Sequence, residues 1–314
     1  MVNLIANENM KVYRRYRTWV MIGGMIAIVI IASIFDWYYD RKDLTETTWQ
    51  TEVTADVAHY EKMLADPNMG EDSKDWARDE LAISKYRLAH DIAPEDGTMW
   101  SGINGAADLI VLITLFTVII AGDSLAGEFS TGTIKLLLIR PANRLKILIA
   151  KYASMIMFGL LLLIILFLIS LLVNGILYQF DSTGLPYLTV DSHGIVKEHN
   201  MFGHLWQTYL LNGVSTIMFV TLAFMISSAF RSSAMAIGFS IFLLFAGVLM
   251  LEIFHPYEWS KYLLFANIDL SQYLDGQPYQ EGMTLGFSIA VLAGYYIVFN
   301  LVAWLAFTKR DVAA

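Results

Sequence analysis

The sequence predicts an all-α integral membrane protein. It has six transmembrane helices, cytoplasmic N- and C-termini, and an extracellular helical hairpin between spans one and two. Three observations predict this class. Hydrophobic residues make up 56% of the 314, and the mean hydropathy is +0.52, where soluble domains sit nearer neutral. Six apolar segments reach the length of about 20 residues that a helix needs to cross a bilayer. Lys and Arg gather in alternate short loops, which sets the orientation.

Residues 1–17 read as a cytoplasmic interfacial amphipathic helix. Ile5, Val12, Tyr16 and Trp19 recur at helical spacing with Asn9 interrupting the stripe, and Lys11, Arg14, Arg15 and Arg17 spread over the remaining surface. The same basic residues also anchor the first span on the inner side. Span one (18–39) is too long for a signal-peptide core and lacks a small-residue cleavage site, so it reads as an uncleaved anchor. Residues 40–100 form the extracellular hairpin. Val53, Val57, Tyr60 and Leu64 mark one helix, and Ala77, Leu81, Ser84 and Leu88 the other. Residues 66–70 turn between them, Ser73 is the expected cap of the second, and Pro94 and Gly97 end it.

Span two covers 101–122, a cytoplasmic loop 123–145, span three 146–173, an extracellular loop 174–204, and spans four and five 205–254. A re-entrant-like outer loop follows at 255–284, rich in rings such as Tyr257, Trp259, Tyr262 and Phe265, which favour the headgroup layer. Residues 285–314 hold span six and the cytoplasmic tail. Orientation rests on Lys135, Arg140, Arg144, Lys146 and Lys151 around the 123–145 loop, Arg231 between spans four and five, and Lys309 and Arg310 in the tail. The alternate short loops hold Lys197 and Lys261 alone.

Of the 29 acids, fifteen lie between residues 40 and 100 against seven basic residues, so the net charge of −8 gives no support to nucleic-acid binding. The absence of cysteine excludes disulfides, iron–sulfur ligation and a thiol nucleophile. No G-x-x-x-x-G-K-[ST] loop occurs, so the chain is not expected to bind ATP or act as an enzyme by itself. His193, His199 and His204 share one outer loop, but their spacing matches no compact metal motif.

The most informative stretch runs from Gly127 to Arg144. Gly127 and Gly132 permit turns. Ser130 or Thr131 can cap a short helix, Ile134, Leu136, Leu137 and Leu138 give it an apolar side, and Pro141 ends it. With the N-terminal segment Asn7–Trp19 and the order of spans, this stretch resembles the ABC type-2 transporter permeases, in particular the small bacterial six-span members. The resemblance covers nearly the whole chain. It implies a coupling helix contacting an ATPase through Glu128, Gly132, Thr133, Ile134, Leu136, Leu137, Leu138, Arg140 and Arg144, with Lys11, Arg14, Arg15 and Arg17 on the bordering interfacial helix.

It further implies a permease subunit of the plasma membrane of a bacterium. Its partners would be a second identical or related permease, membrane lipid, and two cytosolic ATPases that carry ATP and Mg. The expected activity is export of a hydrophobic or amphipathic compound such as an antimicrobial peptide, drug or lipid. Rival readings are an ion-gradient-driven secondary transporter and a non-transporting sensor or assembly protein. Polar residues at or near membrane depth, Asp108, Asn212, Glu252 and Asn300, are candidates for a substrate path, with interfacial exposure as the alternative for Asp108 and Glu252. Glu252 and His255 are spaced to pair. Ala234 and Gly238 form a small-xxx-small pair suited to close helix approach.

Overall fold

The computed structural model describes residues 1–43, 48–67, 69–134, 143–191, 193–230, 232–274 and 278–308. Its helices, in chain order, are α1 (Val2–Tyr13), α2 (Tyr16–Asp43), α3 (Trp49–Leu64), α4 (Glu71–His90), α5 (Met99–Gly105), α6 (Ile110–Ser130), α7 (Arg144–Leu177), α8 (Met201–Ala229), α9 (Ser233–Phe254), α10 (Leu264–Ile268) and α11 (Leu285–Thr308). Two strands, β1 (Pro186–Val190) and β2 (Val196–Asn200), lie between α7 and α8. Six helical stretches are long and apolar enough to cross a membrane: most of α2, α5 together with α6, α7, α8, α9 and α11. The structure is thus all-α in its bulk, with six candidate spans.

The chain divides into two compact units. One comprises Met1–Ala27, Ala107–Leu166 and Thr208–Ala314; the other comprises Ile28–Ala106 and Phe167–Gln207.

In the first unit, α9 lies along α6. Its buried residues Ala236, Ser240, Leu244 and Gly247 recur at three- and four-residue spacing, which defines one helix face. The close approach is made at Gly122, where a Cβ would stand 3.1 Å from the Ile237 side chain and 3.2 Å from its Cα. The pair marked by spacing alone, Ala234 and Gly238, falls on the other side. Both are exposed, and open space surrounds Gly238. Gly247 is the tight position instead, because the Phe265 ring covers it. Beneath these helices, Leu125, Ile134, Leu148, Phe224, Ala303 and Phe307 form one buried cluster.

Span two is not one uninterrupted helix. A 3₁₀ turn, Ala106–Leu109, separates α5 from α6, and α6 continues past Gly122 to Ser130. Hydropathy drops at Asp123, so the sequence reading ends the span there. The helix persists because its polar last two turns find partners on neighbouring segments. Gly127 accordingly sits within α6 and makes no turn, whereas Gly132 has φ of +74° and does make one. Thr131 follows the helix at its C-cap, its hydroxyl donating to the Gly127 carbonyl.

The loop before α11 contains two 3₁₀ turns and α10, and polar side chains knit it together. Asn267, fully buried, donates to the carbonyls of Lys261 and Leu263 and accepts from Ser288 Oγ at 2.6 Å. Gln280 donates to the carbonyls of His255 and Tyr257 and to Ser260 Oγ.

In the second unit, α3 and α4 pack on each other through Val53 and Ala77, both buried, with Tyr60 edge-on to Trp76 and a Lys85–Glu61 ion pair of 2.8 Å. Helix α4 begins at Glu71 with Gly70 as its N-cap, so Ser73 lies inside the helix and does not cap it. Of the turn expected between the helices, Asn68 lies outside the described residues.

The 174–204 segment holds an antiparallel hairpin that the all-α expectation omitted, pairing Tyr187 with His199 and Thr189 with Lys197. Asp191 closes it, accepting the backbone N–H groups of His193 and Ile195, with Gly194 at φ of +75°. Tyr86 of α4 donates to Glu198 of β2 at 3.0 Å. Two of the three histidines meet this hairpin: His199 bonds Thr189, and His204, at the start of α8, stacks on Tyr187 with ring centroids 3.5 Å apart. No group of three or more metal-ligating side chains forms among the described residues.

Gly247→Leu is expected to destabilise the solubilised protein by about 1–3 kcal/mol through overpacking against Phe265. Gly238→Leu, into open space, is expected to leave the thermal midpoint near wild type. Thermal unfolding of the two variants side by side checks the packing of α9.

Candidate functional site

The polar end of α6 meets α1 and α7 in a block of ion pairs. An ammonium inside a run of apolar residues needs a counter-charge, because desolvation is costly. Lys151, in the sequence Leu148-Ile149-Ala150-Lys151-Tyr152-Ala153, has a side chain only 3% exposed. Its Nζ lies 2.9 Å from Glu8 Oε2 and 3.2 Å from Glu128 Oε1, and donates to the Ser124 carbonyl at 3.2 Å. All three of its N–H donors can thus be directed at oxygen. Lys11 closes the ring, 2.9 Å from Glu8 Oε1 and 3.0 Å from Glu128 Oε1.

Burial alone would raise the Glu8 carboxyl. The Lys151 ammonium and the hydrogen bonds from Lys151 and Lys11 outweigh it and hold Glu8 below the usual glutamate value. Lys11 shows the mirror case: burial would lower it, but Glu8 and Glu128 raise it.

Beside this ring, Asp123 accepts from Arg15 at 2.6 Å and also from Arg17 and Ser233. Asn9, which breaks the apolar stripe of α1, accepts from the buried Ser154 Oγ at 2.5 Å. The junction of α1 and α2 is fixed by the Thr18 hydroxyl and the Trp19 indole, which donate to the carbonyls of Val12 and Tyr13 at the end of α1. Two backbone N–H groups of α6, those of Leu125 and Ala126, point at Ser227 Oγ of α8, at 3.1 and 3.0 Å.

This arrangement relocates several residues expected at an outer contact. Glu128 is 16% exposed and serves the internal ring, with Thr133 also donating to it. Ile134 is 4% exposed within the chain's own core. Lys11, Arg15 and Arg17 are paired with carboxylates of the chain and are not simply spread toward headgroups. Arg14 follows the last residue of α1. Arg144 donates to the Thr308 carbonyl at the end of α11, at 3.2 Å. Lys135, Leu136, Leu137, Leu138, Arg140 and Pro141 lie outside the described residues, as do Arg231, Lys309 and Arg310.

The four polar residues singled out for a substrate path do not converge through their own bonds. Asp108 and Glu252 are exposed. Asn300 donates to the Tyr296 carbonyl of its own helix, and the Asn212 carbonyl accepts from Ser215. Glu252 and His255 line one shallow hollow with Tyr279, and among the described residues no ion pair joins them. Residues the sequence reading passed over, Glu8, Asp123 and Ser154, carry the block. The signal for them was Lys151, a lone cation in an apolar run that requires acids nearby.

A family model described as a protein of unknown function (DUF2705) matches residues 77–313. The chain belongs to the DUF2705 family. It is 42% identical to the uncharacterized protein YhcI of Bacillus subtilis, over the whole of both chains. It is 32% identical to the uncharacterized membrane protein YdbK of the same organism, over 65% of this chain and 79% of that relative. These findings overturn the resemblance to ABC type-2 permeases: neither the family matched nor either relative carries that assignment. Several features behind the resemblance have other uses in this DUF2705 member, since Glu128, Lys11, Arg15 and Arg17 pair with each other or with internal partners. Likeness to a protein described as a membrane protein agrees with the six apolar helices.

Replacing Lys151 with Met leaves Glu8 and Glu128 with the half-buried Lys11 as their one shared counter-charge and is expected to destabilise the chain by about 3 kcal/mol, the lower end for breaking a buried ion pair. The double variant Lys151→Met with Glu8→Met should recover part of that loss. Glu8 has a depressed carboxyl pKa in the folded state, so its contribution is present above the unfolded value near 4.5 and lost as pH falls through the folded one. The stability gap between wild type and Glu8→Gln should therefore be full at pH 7 and close as pH drops below about 4.5, followed by thermal unfolding across that range.

Proposed function

We propose that the chain is the membrane-embedded subunit of a transporter driven by separate cytosolic ATPase subunits. In this reading both termini and the connection between α6 and α7, within residues 123–145, are cytoplasmic, and α3 and α4 lie outside the cell. The observation that carries it is the ion-paired block of Glu8, Lys11, Glu128 and Lys151. It ties α1, α6 and α7 together immediately beside that loop. A force applied to the loop by a cytosolic partner reaches two spans and the N-terminal helix at once, because all three share one set of buried charges. Leu136, Leu137 and Leu138 supply the apolar contact for the partner, while Glu128 passes the movement inward without touching the partner itself.

Two further observations support an ATP-driven pump over an ion-driven one. The buried charges among the described residues are Glu8 and Lys151, and they neutralise each other. Apart from Asn267 in the loop before α11, the other buried polar side chains of the first unit among the described residues are hydroxyls, such as the Thr114–Thr216 pair at 2.7 Å. An ion relay needs titratable acids within the spans. In this reading the cargo is hydrophobic or amphipathic and moves outward, with a second identical or related subunit completing the path.

The test is co-purification of the tagged full chain with candidate cytosolic ATPase subunits of its host, scored by ATP hydrolysis in the eluate. Wild type should retain the ATPase, and Leu137→Asp should lose it while remaining folded. Glu128→Gln should retain the ATPase yet lower cargo-stimulated hydrolysis by about tenfold, the effect of weakening one charged hydrogen bond. Failure of wild type to retain an ATPase overturns the proposal.

A further inference from the structure

A cavity of about 880 Å3 opens between α1, the start of α2 and the polar end of α6. Its polar wall holds four cations, Lys11, Arg15, Arg17 and Lys151, against three carboxylates, Glu8, Asp123 and Glu128. One positive charge is left over. Val12, Tyr16, Ile120 and Met155 form the apolar wall.

Two polar atoms of residues lining this cavity are buried without a hydrogen-bond partner: Arg17 Nε and Ser124 Oγ. Buried polar atoms are nearly always satisfied. An arginine nitrogen can only donate, so the missing partner of Arg17 is an acceptor, and the serine hydroxyl can donate to the same group. Two donors in a cavity with one surplus positive charge call for an oxyanion of single charge.

The depth of the cavity indicates where that oxyanion comes from. Tyr16 and Trp19, at the head of the first span, are 83% and 60% exposed. Large aromatic rings at the end of an apolar helix favour the headgroup layer, so the adjoining cavity stands at the level of lipid phosphates. A free anion would gain nothing from an apolar wall, whereas a lipid buries its glycerol and first methylenes there.

We propose that this cavity seats the phosphodiester of one anionic membrane lipid. Arg17 Nε and Ser124 Oγ donate to its phosphate oxygens, and Val12, Ile120 and Met155 pack on the glycerol end of its chains. The lipid would complete the polar shell around Asp123 and Arg17, so the junction of α1 and α2 would depend on membrane composition.

The experiment is titration of the purified full chain in detergent with a short-chain phosphatidylglycerol, a short-chain phosphatidylcholine and inorganic phosphate, read by native mass spectrometry. The expected result is one tight phosphatidylglycerol per chain, with phosphatidylcholine and inorganic phosphate each at least about tenfold weaker. Ser124→Ala, a substitution that leaves every ion pair in place, and Arg17→Gln should each weaken phosphatidylglycerol binding about five- to tenfold. Thermal unfolding of each variant confirms that it is folded before titration. Equal binding of the zwitterionic lipid overturns the charge argument. Inorganic phosphate bound as tightly as the lipid overturns the lipid as source. Unchanged phosphatidylglycerol affinity in folded Ser124→Ala overturns the site.

Discussion

A single ammonium that cannot reach water organises the first unit of this protein. Lys151 sits about two helical turns into α7 among Leu148, Ala150 and Met155, where an unpaired charge would be prohibitively costly. The chain meets that cost with carboxylates from two other helices, one on each side. Each carboxylate is shared with Lys11, so removing either lysine leaves both carboxylates to a single counter-charge. The position of α1 against α6 and α7, the persistence of α6 beyond its apolar run and the sharp turn at Gly132 all follow from keeping this ring closed.

The second unit solves its polar problem differently. Its helices α3 and α4 carry few buried apolar side chains, and single directed bonds hold the remainder. The Trp100 indole donates to the Ser182 carbonyl at 2.8 Å, and the Arg87 guanidinium donates to the Ala93 carbonyl at 2.6 Å. The turn after α7 places Gln179, Phe180 and Ser182 in left-handed backbone conformation, which side chains other than glycine adopt at a cost. Phe180 lies over Gly175, where a Cβ would collide with its ring, so a glycine permits the contact that holds the strained turn.

Much of the architecture was legible from hydropathy alone. All six apolar stretches coincide with helices long enough to span, because lipid leaves the backbone no alternative to the helix. Boundaries were less legible wherever tertiary partners decided them. Asp123 looked like the start of a loop, since a lone aspartate ends an apolar run; Arg15, Arg17 and Ser233 make it part of the helix. The β1–β2 hairpin was missed because its strands are short and mostly exposed, although Asp191 and Gly194 carry turn chemistry that could have announced it. Small-residue spacing gave the wrong face of α9, since Ala234 and Gly238 satisfy the same spacing as the buried Ala236 and Ser240. The site was half visible. Basic residues were easy to find, but charge counting says nothing about which acid each one meets.

One detail of α6 bears on how such a bundle moves. Two of its successive amides, at Leu125 and Ala126, have the Ser227 hydroxyl of α8 as an acceptor outside their own helix. In apolar surroundings a helix ordinarily resists bending, because each carbonyl pulled away from its amide leaves a donor unsatisfied. Here a substitute acceptor is already in place, so α6 has a built-in flexure point one turn before Glu128. Bending there exchanges one hydrogen bond for another, and the ring of charges can tilt as a rigid piece while the apolar half of the helix stays where it is.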